Sequence, residues 1–338
     1  MKVSLRGKGR SAEAKSFKAS ALENLIEIKH DLINHTYQLS PYRELIVTEP
    51  KRRVIKCGAF RDKILQHCLC DYVLLPRMKD VFICDNAAGQ IGKGTLFGLN
   101  RLSEHLLSFY EQYGCDGYIL KCDITKFFYS IDHDVMKSKV KKYFDDPDIL
   151  WLCDLLIDSV EGKGLPLGNQ ASQVFALMYL ADLDNLIVNE CGFQWYGRYM
   201  DDFYVVSHDK EKLKELLVII REHLQTLGLT LNGKTEIVPI RKGIRYLGFH
   251  TYLTENGLII RRLIGEQKRR YKKRLLKLIK LVKSGKLSEK KFNEIFDSMK
   301  NHLSHGSCYK LICDLDRFVS DSMKENQDGQ QKGVPIVQ

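Results

Sequence analysis

The chain contains no apolar run long enough to cross a bilayer, so no membrane-spanning helix is expected and no membrane is expected among its partners. Its first residues, Met1-Lys2-Val3-Ser4-Leu5-Arg6, lack the apolar core of a secretory leader, which leads to the expectation of a cytoplasmic protein. There are ten cysteines but no Cys-x-x-Cys pair, and Cys68 and Cys70 stand too close for a zinc half-site of the usual spacing. Scattered thiols of this kind are expected to be reduced and mostly buried. No internal repeat is present. Acidic residues are the scarcer charge: 42 Asp and Glu against 53 Lys and Arg leave a net charge of +11, which suits a polyanionic partner. The 338 residues, 44% hydrophobic, are enough for about two compact subdomains with an ample core and exclude a disordered chain.

The basic excess is uneven. Residues 261–286 carry Arg261, Arg262, Lys268, Arg269, Arg270, Lys272, Lys273, Arg274, Lys277, Lys280, Lys283 and Lys286 against the single acid Glu266. Leu275, Leu278, Ile279 and Val282 are interleaved at helical spacing. The pattern predicts an amphipathic helix, apolar inward and basic outward. Because the charges are not mixed in sign, a phosphate backbone is a better partner for this face than solvent alone.

Residues 196–206 read Tyr-Gly-Arg-Tyr-Met-Asp-Asp-Phe-Tyr-Val-Val. Two aromatic and β-branched runs flank Asp201-Asp202, predicting a β-hairpin with both acids at its turn. Like charges that close need a cation between them, and oxygen ligands suit magnesium. Taken alone, the pair reads more readily as a solvated turn; the flanking strands and the rest of the chain reverse that preference. Gly117-Tyr118-Ile119-Leu120-Lys121-Cys122-Asp123-Ile124 is a second strand-like run ending at an acid. Asp123 could cap the segment that follows it. It could also complete a three-carboxylate cluster with Asp201 and Asp202, able to hold two metal ions about 4 Å apart for in-line phosphoryl displacement. Asp132 and Asp134 read as cap or turn acids.

In sequence order these pieces resemble a reverse transcriptase. Asp123 with Phe127-Phe128 is similar to the first palm motif, Gly164-Leu165-Pro166-Leu167-Gly168-Asn169-Gln170-Ala171-Ser172-Gln173 to the second, and Tyr199-Met200-Asp201-Asp202 to the Tyr-x-Asp-Asp box. Leu231-Asn232-Gly233-Lys234-Thr235 resembles the lysine motif, and Ile244-Arg245-Tyr246-Leu247-Gly248-Phe249 the primer-gripping hairpin. The resemblance extends over roughly residues 40–315. In the second motif Leu167 stands where many relatives carry Gln, and the run ends Ser172-Gln173. That form resembles the enzymes of diversity-generating retroelements, with antiphage-defence reverse transcriptases copying small noncoding RNAs as near relatives. Neither a maturase-length tail nor an RNase H segment is visible.

The resemblance implies RNA-directed DNA synthesis by two-metal nucleotidyl transfer, with two Mg2+ ions for which Mn2+ can substitute. Asp123, Asp201, Asp202 and the backbone carbonyl of Ile124 would hold metal, with Asp202 acting more by charge than by direct ligation. Lys234 would protonate departing pyrophosphate. Phe128 would be the steric gate against a 2′-hydroxyl, with one of Phe127 and Phe128 belonging to the core. Leu167, Gly168 and Gln173 would border the incoming dNTP, and a Leu at 167, which cannot hydrogen-bond as Gln does, suggests low fidelity. Gly168 would let backbone and nucleotide approach closely. Arg53, Lys56 and Arg61, on a fingers hairpin, are candidates for triphosphate contact, though spacing does not choose among them. Tyr199, Met200, Tyr246, Leu247, Gly248, Arg269, Arg270 and Lys273 would meet primer and template. Implied partners are template RNA, primer, the RNA/DNA duplex, dNTPs and a small basic accessory oligomer, in a bacterial or phage-encoded setting. A non-catalytic RNA-binding module of the same fold is the alternative from another class.

The fold expected is α+β, a right-hand polymerase with fingers, a palm built on an antiparallel sheet, and a helical thumb. The expected divisions are a basic arm and helix at 1–40, fingers at 41–115, palm at 116–262 (with helices in 136–165), thumb at 263–323 and a loose tail at 324–338. Within the arm, residues 1–16 are expected to be flexible and 17–35 helical.

Overall fold

The computed structural model describes Ser4, residues 11–48 and residues 52–324. Most of the basic arm and the tail beyond Lys324 therefore lie outside the described residues. The chain divides into two compact units. One comprises residues 1–98 with 120–237, the other residues 99–119 with 238–338. These cuts fall at other points than the expected fingers, palm and thumb boundaries, because the strands that close the expected palm group with the helices after them.

In the first unit, strands β1 (Arg43–Val47) and β2 (Arg53–Cys57) form an antiparallel ribbon in the register Arg43 to Cys57. Strands β3 (Tyr118–Asp123), β4 (Tyr196–Tyr199), β5 (Asp202–Ser207) and β6 (Glu236–Pro239) form a four-stranded sheet in the order β4-β5-β3-β6. Each of β3 and β6 runs across a division between the units. The β4–β5 pair is the expected hairpin. Phe203, Tyr204, Val205 and Val206 are all buried, so β5 is covered on both faces and lacks the polar alternation of a half-exposed strand. This is the α+β arrangement the sequence suggests.

Local signals explain several helix starts. Asp132 caps the helix His133–Tyr143 by accepting from the amides of Asp134 and Val135, and Asp209 caps Lys210–Thr226 in the same way. Ser11 caps Ala12–Ala19, so part of the segment expected to be flexible is helical. The helix Phe60–Leu69 continues through a π turn at Cys70–Leu74 to Met78. The helix Gln170–Tyr179 bends by 41° into Ala181–Glu190. Among the described residues no single helix is long and apolar enough to cross a membrane. This bent pair passes on length and composition, but from Ala171 to Leu183 only Gln173 is exposed.

In the second unit, β7 (Ile244–Tyr246), β8 (Phe249–Leu253) and β9 (Ile259–Leu263) form an antiparallel sheet. The helix Gly265–Lys283 follows, burying Leu275 and Ile279 while its basic residues point outward, as expected. Arg261 is an exception to that basic face. It is half-buried and donates to the carbonyls of Leu99 and His305 and to the Ser103 hydroxyl, so it ties this unit together instead of facing a ligand.

Candidate active site

The β4–β5 ladder ends at the pair Tyr199–Asp202, leaving Met200 and Asp201 as a two-residue turn. Met200 takes a left-handed φ of 56°. Ile124, just past the end of β3, donates its amide to the Asp201 carbonyl at 3.1 Å. The turn is thereby placed beside the end of β3, where Asp123 stands.

Asp123 is held from its other side. The amide of Asn232 donates to the Asp123 carbonyl at 2.7 Å, and its side-chain amide donates to Asp123 Oδ2 at 3.0 Å. Ile124 and Leu231 form an isolated antiparallel bridge. Its two hydrogen bonds come from Thr125 and Asn232, so neither uses the Ile124 carbonyl expected to face a metal. The same loop carries Lys234, exposed, with its backbone amide on Asn232 Oδ1.

The charge of Asp123 reaches Asp201. Burial raises the Asp201 pKa above the usual carboxylate range, and the charge of Asp123 raises it further, while Arg53 and Lys121 oppose the rise. Two acids in this relation favour a shared cation. The expected three-carboxylate cluster is not assembled. Among the described residues no three His, Cys, Asp or Glu side chains are grouped to hold a metal ion. Asp202 is already the first residue of β5, not part of the turn, and it ion-pairs with Lys121 of β3. Burial lowers the Lys121 pKa to about 8 despite the neighbouring acids. Asp123 and Asp201 are the two acids brought near one another, and Asp202 contributes charge already matched by a lysine.

The residues around the acids fall into place unevenly. Phe127 is the core member of the aromatic pair, packed near Tyr179, and Phe128 is half-exposed. The loop 164–168 lies against this segment, with the Leu165 amide on the Phe128 carbonyl at 2.7 Å. Leu167 is half-exposed, and its carbonyl accepts from the Lys56 amide of β2 at 2.9 Å. Strand β2 approaches the exposed Gly168 closely. At its φ of 109° a Cβ would lie 2.7 Å from Ile55 Cγ2 and 3.3 Å from the Lys56 carbonyl oxygen. Gln173 is exposed on an otherwise buried stretch of helix. Arg53 is exposed on β2 and its charge reaches Asp201.

Arg61 departs from expectation. It ion-pairs with Asp31 at 2.9 Å and Glu27 at 3.7 Å, and its guanidinium sits 4.7 Å from the centre of the Tyr37 ring. An arginine neutralised by two carboxylates is a poor triphosphate ligand, so Arg53 and Lys56 are left as the candidates. Tyr246 also departs: it is buried, as an inward residue of β7, and cannot present its ring to a primer. The turn beyond it is half-exposed. Leu247 and Gly248 both have positive φ, at 48° and 89°, in a two-residue hairpin turn of the I′ kind. Tyr199 and Met200 are half-buried, Arg269 and Lys273 are exposed, and Arg270 is half-exposed, 3.8 Å from Glu266.

Asn232 lies in the lysine motif, which assigns it no role of its own, and no motif announces the structural roles of Lys121 and Arg198. The available signal was a polar or charged residue in an apolar strand run: Lys121 between Leu120 and Cys122, and Arg198 between Gly197 and Tyr199.

A family model described as "Reverse transcriptase (RNA-dependent DNA polymerase)" matches residues 49–251. No curated protein matches the chain. Among solved structures, telomerase from Candida albicans in complex with a TWJ fragment of telomeric RNA is similar at 12% identity and a TM-score of 0.52, covering 90% of this chain and 65% of that one. Telomerase from Candida tropicalis with a TWJ fragment of telomeric RNA is similar at 12% identity and a TM-score of 0.51, covering 88% of this chain and 62% of that one. The chain thus spans slightly less than two thirds of these telomerase chains, and at such identities the likeness is one of fold.

Proposed function

This chain belongs to the reverse transcriptase family, and from that premise we propose that Asp123 and Asp201 carry a metal-dependent nucleotidyl transfer that builds cDNA on an RNA template. The enzyme is an RNA-directed DNA polymerase. The observation that supports the site is the placement of the Met200–Asp201 turn beside the end of β3, where the charge of Asp123 opposes ionisation of Asp201. Asp123, Asp201 and the Ile124 carbonyl would hold Mg2+, or Mn2+ in its place. When bound, the metal lowers the pKa of an attacking hydroxyl and stabilises the leaving phosphate. Asn232 holds Asp123 in orientation. Lys121 ion-pairs with Asp202 and so offsets its charge. Lys234, exposed on the loop that positions Asp123, would give a proton to pyrophosphate.

Phe128 bounds the sugar side and favours deoxynucleotides. Arg53 and Lys56 meet the triphosphate as a fork and a point charge respectively. The outward face of Gly265–Lys283 grips duplex phosphates without reading sequence. The Candida telomerases described with telomeric RNA are consistent with an RNA partner here.

The finer reading is error-prone synthesis for a diversity-generating retroelement. It rests on the Leu167-Gly168 and Ser172-Gln173 pattern and on the half-exposed placement of Leu167. A neighbouring template/variable repeat pair and a small basic accessory protein would support it. An isolated gene in a defence island would point to the defence enzymes. Primer extension on an RNA template with titrated Mg2+ tests the site. Asp123→Asn and Asp201→Asn should each abolish extension; a variant that extends at the wild-type rate overturns the assignment.

A further inference from the structure

Arg198 is the largest wholly buried side chain in the described protein, and nothing in the site above uses it. It lies on β4, two residues before the Met200–Asp201 turn. Its guanidinium is held by Asp184, itself wholly buried, through Nε to Oδ1 at 2.7 Å and Nη2 to Oδ2 at 2.5 Å. Tyr196 donates its hydroxyl to the same Oδ1 at 2.6 Å. One guanidinium donor is directed elsewhere: Nη1 donates to the Met200 carbonyl at 3.0 Å. The backbone of Arg198 is fixed as well. Its amide donates to the Asp85 carbonyl at 3.0 Å, and its carbonyl accepts from Ala87 at 2.8 Å.

Both carbonyls of the turn are therefore bound. Arg198 takes that of Met200, and the Ile124 amide takes that of Asp201. Met200 itself, a non-glycine residue, has a φ of 56°, a conformation that persists only where the surroundings enforce it. A bare stability role would be met by any well-packed apolar trio, since buried ion pairs are often replaceable in that way. What such a trio cannot supply is a donor aimed at Met200. A planar fork can serve Asp184 and a carbonyl together; a lysine, as a point charge, cannot hold that geometry.

We propose that Arg198, oriented by Asp184 and Tyr196, is a positioning residue that fixes the Met200–Asp201 turn so that the Asp201 carboxylate faces Asp123 ready for a divalent cation. The proposal rests on the reading of Asp201 as a metal-holding residue.

The test uses the full chain carrying Asp184→Leu, Tyr196→Phe and Arg198→Met together, which removes every member of the network and leaves no buried charge behind. Mn2+ affinity is measured by calorimetry, and kcat and dNTP KM by primer extension. The expected result is a folded protein whose Mn2+ affinity and kcat fall about tenfold, the size of effect seen when groups that orient metal ligands are lost, while dNTP KM is unchanged. A folded triple variant with wild-type Mn2+ affinity and kcat overturns the proposal. If the triple variant does not fold, Arg198→Lys, which keeps a cation for Asp184, is read in the same two ways. Asp201→Asn serves as the control. If it binds Mn2+ like the wild type, the premise falls and the proposal with it. If it loses Mn2+ while the triple variant behaves normally, the proposal alone falls.

Discussion

Replacing Gly168 by alanine probes the join between the loop 164–168 and strand β2, and its cost can be worked from the structure. The residue has a φ of 109°, far from the conformations that side chains tolerate. A Cβ there costs roughly 1–2 kcal/mol in backbone strain. The new atom would lie 2.7 Å from Ile55 Cγ2 and 3.3 Å from the Lys56 carbonyl oxygen, so something must move. The isoleucine is β-branched and has few rotamers to escape into, and overpacking of this kind adds about 1–3 kcal/mol. Together these give about 2–5 kcal/mol, a large part of the roughly 5–15 kcal/mol that stabilises a folded protein. The assay is urea unfolding of wild type, Gly168→Ala, Ile55→Ala and the double variant. Ile55→Ala removes the clashing atom but not the strain, so the cycle should show a favourable coupling of about 1 kcal/mol or more. Because the Lys56 amide holds the Leu167 carbonyl, Gly168→Ala should also raise the dNTP KM. A loss below about 0.5 kcal/mol, the range of an ordinary surface change, or strict additivity with Ile55→Ala, would refute the reasoning.

Other consequences can be measured alongside. Asp201 has a raised pKa in the folded state, so the metal-free protein should lose stability as pH climbs from the unfolded carboxylate pKa through the folded one. Asp201→Asn should therefore raise the metal-free Tm at neutral pH but not at a pH below both values, and a lower Tm at neutral pH would contradict this. Asn232→Ala removes the bond to Asp123 Oδ2 and should lower kcat by about 10-fold or more through misplacement of a ligand, checked by steady-state extension; an unchanged kcat would count against the role. Phe128→Ala should admit ribonucleotides, read as rNTP incorporation on an RNA template, whereas the buried Phe127→Ala should cost about 3–5 kcal/mol of stability without that change in sugar choice. Arg61→Lys should leave the dNTP KM unaltered, because the guanidinium is engaged by Asp31 and Glu27.

Much of this was legible in the sequence because local rules and tertiary structure agree. The apolar runs ending at Asp123 and flanking Asp201 are strands, Asp132 is a cap, and the basic helix at 265–283 buries the residues its spacing indicates. The failures arise where a long-range partner decides. Arg61 is basic and sits beside the fingers ribbon, but the acids that capture it, Glu27 and Asp31, are some thirty residues earlier in the chain. Adjacent acids suggested a shared site, yet the ladder closes one residue early, so Asp202 belongs to a strand and meets Lys121. Tyr246 looked like a contact residue, while strand alternation turns it inward. The bond from Asn232 to Asp123 spans 109 positions and has no local signature.

The most direct measurement of the central claim is calorimetric titration of Mn2+ into the full chain and into its Asp123→Asn and Asp201→Asn variants. The account predicts saturable uptake by the wild type, weakened about 10-fold or more in each variant. Wild-type affinity in both variants would contradict it.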